Sequence, residues 1–350
     1  MNADLVELQQ SVRQVLAGAA VPADEQTTWP LLVELGWLLV SVPEELGGLG
    51  QGLAGACVLQ IELGRRLAAA PCLPAMLAID AVCQSGLADR ENWIERLTGG
   101  DYVATPLAES SLSLEQAGAG KARLSGFASA VPSADRASHV LVWTTAADCV
   151  ALVPLGQPGV EITERPTWDT TRRLFDLRCT GTELDEQLVL ASGPAAQALI
   201  RRLTTLRDLA LAADAVGGAN ALLELTVEHL QVRRQFGRPL ALFQALKHRC
   251  ADLKTLIAAA EALLLDSLGR LGDAIGDAEA ELKGKTARYL ACSTYARVAE
   301  EALQLHGGIG MASEHQCHLF LKRALLNERL GRQDDRCELD IADGLLARLA

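Results

Sequence analysis

The sequence predicts a mainly α-helical fold with a small β-domain in the middle of the chain. Apolar residues recur at helical spacing up to about residue 104, and long helical patterns return from about residue 193 onward. Between them lie short apolar runs separated by Gly, Pro, Ser and Asp, which is typical of strands and turns. We therefore predict an N-terminal helical domain over 1–104, a middle β-domain over 105–192 and a C-terminal helical bundle over 193–350.

Local signals support each domain in turn. In the N-terminal region the helical patterns break at Val42-Pro43 and at Gly47–Gly50. In the middle region, His139–Trp143 and Val150–Val153 are short apolar runs of strand length. In the last region a long helix is predicted over Tyr289–Leu305, and two further helices have apolar residues at i, i+4 and i+7, namely Leu223, Val227 and Leu230, and Leu253, Ile257 and Ala260.

Length, composition and charge limit the function classes. The 350 residues, 49% of them apolar, have room for two or three domains and exclude a disordered or fibrous chain. With 32 Lys and Arg against 44 Asp and Glu, the net charge is −12, so we expect no nucleic-acid partner. The start of the sequence lacks the pattern of a signal peptide, and no apolar run approaches about 18 residues. We expect a cytoplasmic location and no membrane partner.

The first of two candidate functional segments reads VRRQFGRPL over Val232–Leu240 and FQALKH over Phe243–His248. Since Gly is favoured after a helix and Pro continues one poorly, we expect the preceding helix to end at Gly237. Three arginines then lie within six residues. They form either a solvated basic turn or an anion site, because guanidinium groups match phosphate oxygens bidentately.

A second segment reads ALQLHGGIGM over Ala302–Met311. Three of the four residues before Met311 are glycines, namely Gly307, Gly308 and Gly310. A simple helix end needs only one glycine. The segment is either a structural turn or a place where a ligand approaches the backbone closely.

Together these segments resemble those of the acyl-CoA dehydrogenase family. RRQFGRPLALFQALKH is similar to its RxxFGxPxxxFQxxxH segment, and ALQLHGGIGMASEH to its QxxGGxGxxxE segment. Leu35–Trp37, Val42–Gly50 and Glu62–Arg65 are similar to the family's N-terminal motifs. The resemblance covers nearly the whole chain, and it implies an N-terminal helical domain, a middle β-barrel-like domain and a C-terminal four-helix bundle.

The resemblance also implies a reaction. Family members remove the α-proton of an acyl-CoA with a carboxylate and pass the β-hydrogen as hydride to FAD, with electron-transfer flavoprotein as a typical electron acceptor. Their two segments hold the FAD of a neighbouring subunit. Carried over here, Arg233 contacts the pyrophosphate, and the residues implied to bind FAD are Arg233, Gln235, Phe236, Phe243, Gln244, Gln304, Gly307 and Gly308.

The family's catalytic base is missing from its two usual positions. Gly331 stands at one of them and Arg207 at the other. The neighbouring Asp208 is a weak candidate, and its simpler interpretation is a solvated partner of Arg207 or Arg202. The catalytic residue is therefore unknown. The loop Tyr102–Ser110 and the strand Phe127–Pro132, which would contact this subunit's own flavin ring, retain little of the family pattern.

This selective loss suggests the base-lacking subunit of an α2β2 heterotetramer. A homologous partner subunit would supply the ring pocket and the base, and the resemblance associates this branch with CoA esters of steroid side chains. Two alternatives stay open: a self-sufficient homotetramer with an atypical base such as Asp208 or Glu328, or a non-catalytic scaffold. We expect no metal, since the pair His315 and His318 has few potential further ligands nearby.

Overall fold

The computed structural model describes residues 3–108, 110–117, 121–331 and 335–347. Helices, then strands, then helices follow one another along the chain, which confirms the predicted fold class. The N-terminal helices are α1 (Ala3–Leu16), α2 (Glu25–Glu34), α3 (Gly52–Arg65), α4 (Cys72–Cys83) and α5 (Arg90–Thr98). Every residue of α4 is buried, as expected of a helix that is apolar on all sides.

The middle region contains two four-stranded sheets. Their strands are β1 (Val103–Ala104), β2 (Ser113–Ala117), β3 (Lys121–Pro132), β4 (His139–Trp143), β5 (Cys149–Pro154), β6 (Val160–Arg165), β7 (Leu174–Glu183) and β8 (Val189–Ser192). The strand orders are β1-β4-β5-β8 and β2-β3-β7-β6. Both apolar runs singled out in the sequence are strands, β4 and β5. Because β1 pairs with β4 in parallel, the first sheet begins two residues before position 105.

The C-terminal region is built around one long helix. Its helices are α6 (Pro194–Val232), α7 (Gln244–Leu271), α8 (Ala278–His306), α9 (Cys317–Arg329) and α10 (Asp335–Leu346). Helix α6 packs against α3, α7, α8 and α9, so it joins the bundle to the N-terminal helices. By length and apolar composition α6 could cross a membrane, but 72% of its most apolar window is buried inside the protein. Helix α6 is the core helix of the bundle.

The end of α6 differs from the prediction. The helix ends at Val232 instead of Gly237, and β9 (Arg234–Gln235) and β10 (Arg238–Pro239) pair as a short antiparallel hairpin. Phe236 and Gly237 form its loop, with φ angles of +52° and +76°. A two-residue hairpin loop favours positive φ, so Gly237 serves the hairpin and not the helix end.

A buried ion network connects the three regions. The Arg323 guanidinium of α9 lies 3.1 Å from carboxylate oxygens of both Asp169 and Asp214, and donates to the Ala68 carbonyl at 3.0 Å. Arg172 adds a second guanidinium 3.2 Å from Asp214. Burial alone would raise the pKa of Asp214, but Arg172 and Arg323 bring it below its ordinary value. Because buried charges must be paired, the network fixes how the regions pack.

Replacing Arg323 with Met is expected to lower the free energy of unfolding by about 3–5 kcal/mol, because it leaves a buried carboxylate uncompensated. Urea unfolding followed by circular dichroism measures the change. As a matched control, R270M removes an exposed ion pair with Asp266 on α7 and should change stability by about 0.5 kcal/mol or less. Equal effects of the two substitutions would contradict the role given to Arg323.

Candidate cofactor-binding site

The two candidate functional segments lie at the same end of the helical bundle. Helix α6 ends beside the place where α8 ends, and the rings of His229 and His306 stack there with centroids 4.5 Å apart. His229 is one helical turn before Arg233, and His306 directly precedes the 3₁₀ turn Gly307–Met311. The structure therefore brings together two stretches that are some 70 residues apart in the sequence.

The eight predicted cofactor residues are on the surface. Phe243 is half-buried, and the other seven, Arg233, Gln235, Phe236, Gln244, Gln304, Gly307 and Gly308, are exposed. The Phe236 side chain is 88% exposed, and the same segments also expose Val232, Leu242, Ile309 and Met311. Large apolar side chains grouped on a surface in this way are typical of an interaction site.

Cationic and aromatic groups are combined around the hairpin. The Arg238 guanidinium lies over the Phe243 ring, 4.1 Å from its centroid, and the Phe236 ring meets Phe243 edge-on at 6.1 Å. Within the part of the chain that the structure describes, the Arg233 guanidinium has no ion-pair partner. It is therefore available to an anionic ligand, and a pyrophosphate fits its bidentate donors.

The turn after α8 leaves its backbone open. Gly307 has a φ of +66°, and no atom lies within 4 Å of the position that a Cβ would take at Gly307 or at Gly308. A ligand can therefore approach this backbone without meeting a side chain. The guanidinium, the aromatic rings, the amides and the open glycines fit a dinucleotide such as FAD.

Among the described residues, two backbone hydrogen bonds cross the region expected to contact this chain's own flavin ring. The Gly331 backbone N–H donates to the Leu107 carbonyl at 3.1 Å, and the Leu107 N–H donates to the Ala130 carbonyl at 3.1 Å. The cavity beside Leu107 has a volume of about 30 Å³, which is room for about one water molecule and not for a flavin ring. Glu109 of the same loop lies outside the described residues.

Asp208 is buried, so its interpretation as a solvated side chain was wrong. It is 1% exposed, accepts a hydrogen bond from Arg207 at 2.8 Å and lies 3.3 Å from Nε of Arg288. Arg288 lies on α8, so no local sequence pattern could predict its contact with Asp208 on α6. Arg202, the other partner expected for Asp208, pairs with Asp80 instead. A carboxylate engaged by two guanidiniums is poorly placed to take a proton from a substrate.

Glu328 lies half-buried on α9. Burial raises the pKa of its carboxyl group, with Arg329 opposing and Glu300 adding to the rise. A raised pKa suits a general base. However, Glu328 does not line the small cavity beside Leu107, so the structure does not bring it to the ring region.

His315, one of the two histidines with metal-pair spacing, makes contacts with protein groups. The His315 ring packs against His306 at 4.8 Å, and its Nδ1 accepts a hydrogen bond from the Cys317 N–H at 3.1 Å. Among the described residues, no group of three or more His, Cys, Asp or Glu side chains could hold a metal ion.

Comparison with known proteins decides the family. Residues 3–101 match the N-terminal domain of acyl-CoA dehydrogenases, and residues 198–346 match their C-terminal domain. Acyl-CoA dehydrogenase IpdE2 of Mycobacterium tuberculosis is 34% identical over 87% of this chain and 83% of its own length. The chain belongs to the acyl-CoA dehydrogenase family. The cofactor of this family is FAD, as the sequence predicted.

Two solved structures extend this acyl-CoA dehydrogenase comparison. A structure described as the Tcur3481-Tcur3483 steroid ACAD G363A variant has a TM-score of 0.88, with 26% identity, 99% of this chain covered and 98% of that chain. The ChsE4-ChsE5 complex from Mycobacterium tuberculosis has a TM-score of 0.85, with 25% identity and coverages of 100% and 96%. The resemblance to the steroid branch is thereby confirmed.

The position of the missing base allows a test of the closed region. Gly331 has a φ of +77°, and an added Cβ would stand 3.1 Å from both Asp208 Oδ1 and Arg288 Nε. G331A is expected to lower the free energy of unfolding by about 1–2 kcal/mol, because L-residues disfavour this conformation. In α7, G269A has free space around its Cβ and should raise stability by about 0.5–1 kcal/mol. Urea unfolding of both variants measures this, and an unchanged G331A would contradict the close packing.

Proposed function

We propose that this chain is the base-lacking subunit of a heteromeric FAD-dependent acyl-CoA dehydrogenase, and that it lends its cofactor segments to a homologous partner subunit. One observation carries the proposal. Among the described residues, backbone hydrogen bonds join Gly331 to Leu107 and Leu107 to Ala130 across the chain's own ring region, whereas the cofactor segments are exposed.

The distance between the two regions supports the same division. Asp208, beside the closed region, and Val232, at the open one, are both on α6. At 1.5 Å per residue they are about 36 Å apart along the helix. The exposed segments therefore lie far along α6 from this chain's own ring region, which fits a ring pocket brought to them by a second subunit.

Each cofactor residue has a proposed role. Arg233 binds the pyrophosphate, since its guanidinium offers bidentate donors that match phosphate oxygens. Gln235 and Phe236 lie beside it in the hairpin, Phe243 and Gln244 serve the adenosine end, and Gln304 with Gly307 and Gly308 offers an amide and open backbone. When bound, FAD supplies the hydride acceptor for desaturation of the acyl-CoA.

The partner and substrate follow from the similar proteins. The two similar solved structures are each named for a pair of proteins, and one of them is named a steroid ACAD. We infer an α2β2 assembly whose partner supplies the base and the acyl pocket. The proposed substrate is the CoA ester of a steroid side chain, and the proposed electron acceptor is electron-transfer flavoprotein.

Co-production with a homologous acyl-CoA dehydrogenase subunit tests the assembly. The complex is expected to hold about one FAD per heterodimer, since only one of its two ring pockets is open, and this chain alone should hold none. Flavin absorbance against protein concentration gives the ratio. A fully active homotetramer with one FAD per chain would reject the proposal.

The same complex tests the alternative base. E328Q keeps the shape of the side chain but removes its ability to take a proton, so turnover should be unchanged if the partner carries the base. Loss of turnover in E328Q would instead place the base on this chain.

Replacing Arg233 with Ala is expected to weaken FAD binding to the complex by about 10- to 100-fold, the effect of losing a charged hydrogen bond. R233K should lie between R233A and the wild type, because it keeps the charge but not the bidentate fork. Flavin fluorescence titration measures the affinities, with R270A on the exposed face of α7 as the control. Wild-type affinity in R233A would show that Arg233 does not contact the cofactor.

A further inference from the structure

Three imidazole rings lie between the two cofactor segments. We call His229, His306 and His315 the histidine cluster. The His306 ring stacks on His229 with an interplanar angle of 28°, and meets the His315 ring at 61°. His306 therefore joins the end of α6, the end of α8 and the residues that follow the glycine turn.

The hydrogen bonds of His306 favour a neutral ring. Its Nδ1 is 2.8 Å from the Ala302 carbonyl oxygen, which can only accept, so Nδ1 carries a hydrogen. Its Nε2 is buried and has no hydrogen-bond partner within the described residues. Protonation would add a buried N–H and a charge at Nε2 without a partner, which is costly.

The surroundings of the cluster also oppose protonation. Burial, followed by His315 and Arg233, lowers the pKa of His229. Burial likewise lowers the pKa of His306; the Ala302 carbonyl opposes this, and His229 and His315 add to the lowering. Among the described residues, the titratable and charged groups acting on these two rings are His229 in α6, Arg233 directly after α6, and His315 after α8, and none of them is a carboxylate.

We propose that His306 is a positioning residue: as a neutral ring stacked on His229, it holds the Gly307–Gly308 turn beside Arg233, and acid separates the two cofactor segments. In the chain without FAD, a positive charge on one ring would meet the ring of its neighbour and the Arg233 guanidinium, with no carboxylate among the described groups that act on His229 and His306. The effect on FAD rests on the proposed function, whereas the effect on the stability of the chain does not.

The direction of the pH dependence follows from proton binding. An unfolded histidine has a pKa of about 6.5, and the pKa values of His229 and His306 in the folded chain lie below it, so the unfolded chain binds more protons in that interval. The stability contributed by the neutral rings is therefore fully present above about pH 6.5 and is lost as the pH falls below it. The hold on the cofactor should weaken over the same interval.

Thermal unfolding of the full chain without FAD tests the cluster by itself. H229F keeps a stacked aromatic ring, and H306N keeps a nitrogen that can donate to the Ala302 carbonyl, but neither side chain titrates. When the pH is lowered from about 7.5 to about 5.5, the unfolding temperature of the wild type should fall more than twice as far as that of H229F or H306N. H248N, at an exposed histidine of α7, should behave as the wild type. Equal losses in all four proteins would overturn the inference.

FAD titration of the complex with its partner subunit tests the positioning role. The wild-type affinity should fall as the pH falls over this interval, by up to about tenfold per pH unit for uptake of one proton, and H229F should remove most of the fall. H139N, in the middle domain against Trp93, is the control and should keep the wild-type profile. An unchanged profile in both H229F and H306N would overturn the role, whereas absence of FAD at every pH would reject the proposed function instead.

Discussion

The Arg323 guanidinium is the point on which the packing of this protein depends. It contacts the N-terminal helices through Ala68, the middle domain through Asp169 and the bundle through Asp214. A fully buried arginine is tolerated only where carboxylates compensate its charge. Satisfying it therefore draws the three regions together. Arg323 also lines the small cavity beside Leu107, so the residue that joins the domains also lies at their junction with the Leu107 loop.

Helix α6 separates the two functional halves of the molecule. The buried Asp208 and Asp214 lie near the middle of α6, Asp208 beside Arg207 and Arg288 and Asp214 in the Arg323 network, while the last turn of the helix carries His229 and ends at the exposed hairpin. Because the buried part is held by charges, the exposed end has a rigid support. The hairpin and the glycine turn are thus held in fixed positions, which lowers the entropy cost of binding a ligand there.

Local patterns in the sequence predicted what local physics controls. The helical spacing identified the bundle, the short apolar runs identified β4 and β5, and the two motifs came together at one end of the bundle. Long-range pairing could not be predicted in this way: Arg323 meets Asp214 across 109 positions, and Arg288 covers Asp208 from another helix. One signal was available, since Asp214 interrupts an otherwise apolar stretch of α6 and a buried charge there requires a partner. The hairpin at Gly237 was missed because Gly followed by Arg-Pro fits a helix end equally well.

The same geometry explains why a base is not easily restored. At Gly331 the backbone has a positive φ, its N–H is committed to the Leu107 carbonyl, and the position of a Cβ lies 3.1 Å from the Asp208 carboxylate. A glutamate at this position would add backbone strain and a second negative charge beside the first. Its carboxylate would also compete for Arg288, which already lies next to Asp208. A carboxylate at position 331 therefore requires rearrangement of Asp208, Arg288 and the Leu107 loop together, so the packing of several residues, and not one residue, keeps glycine at this position.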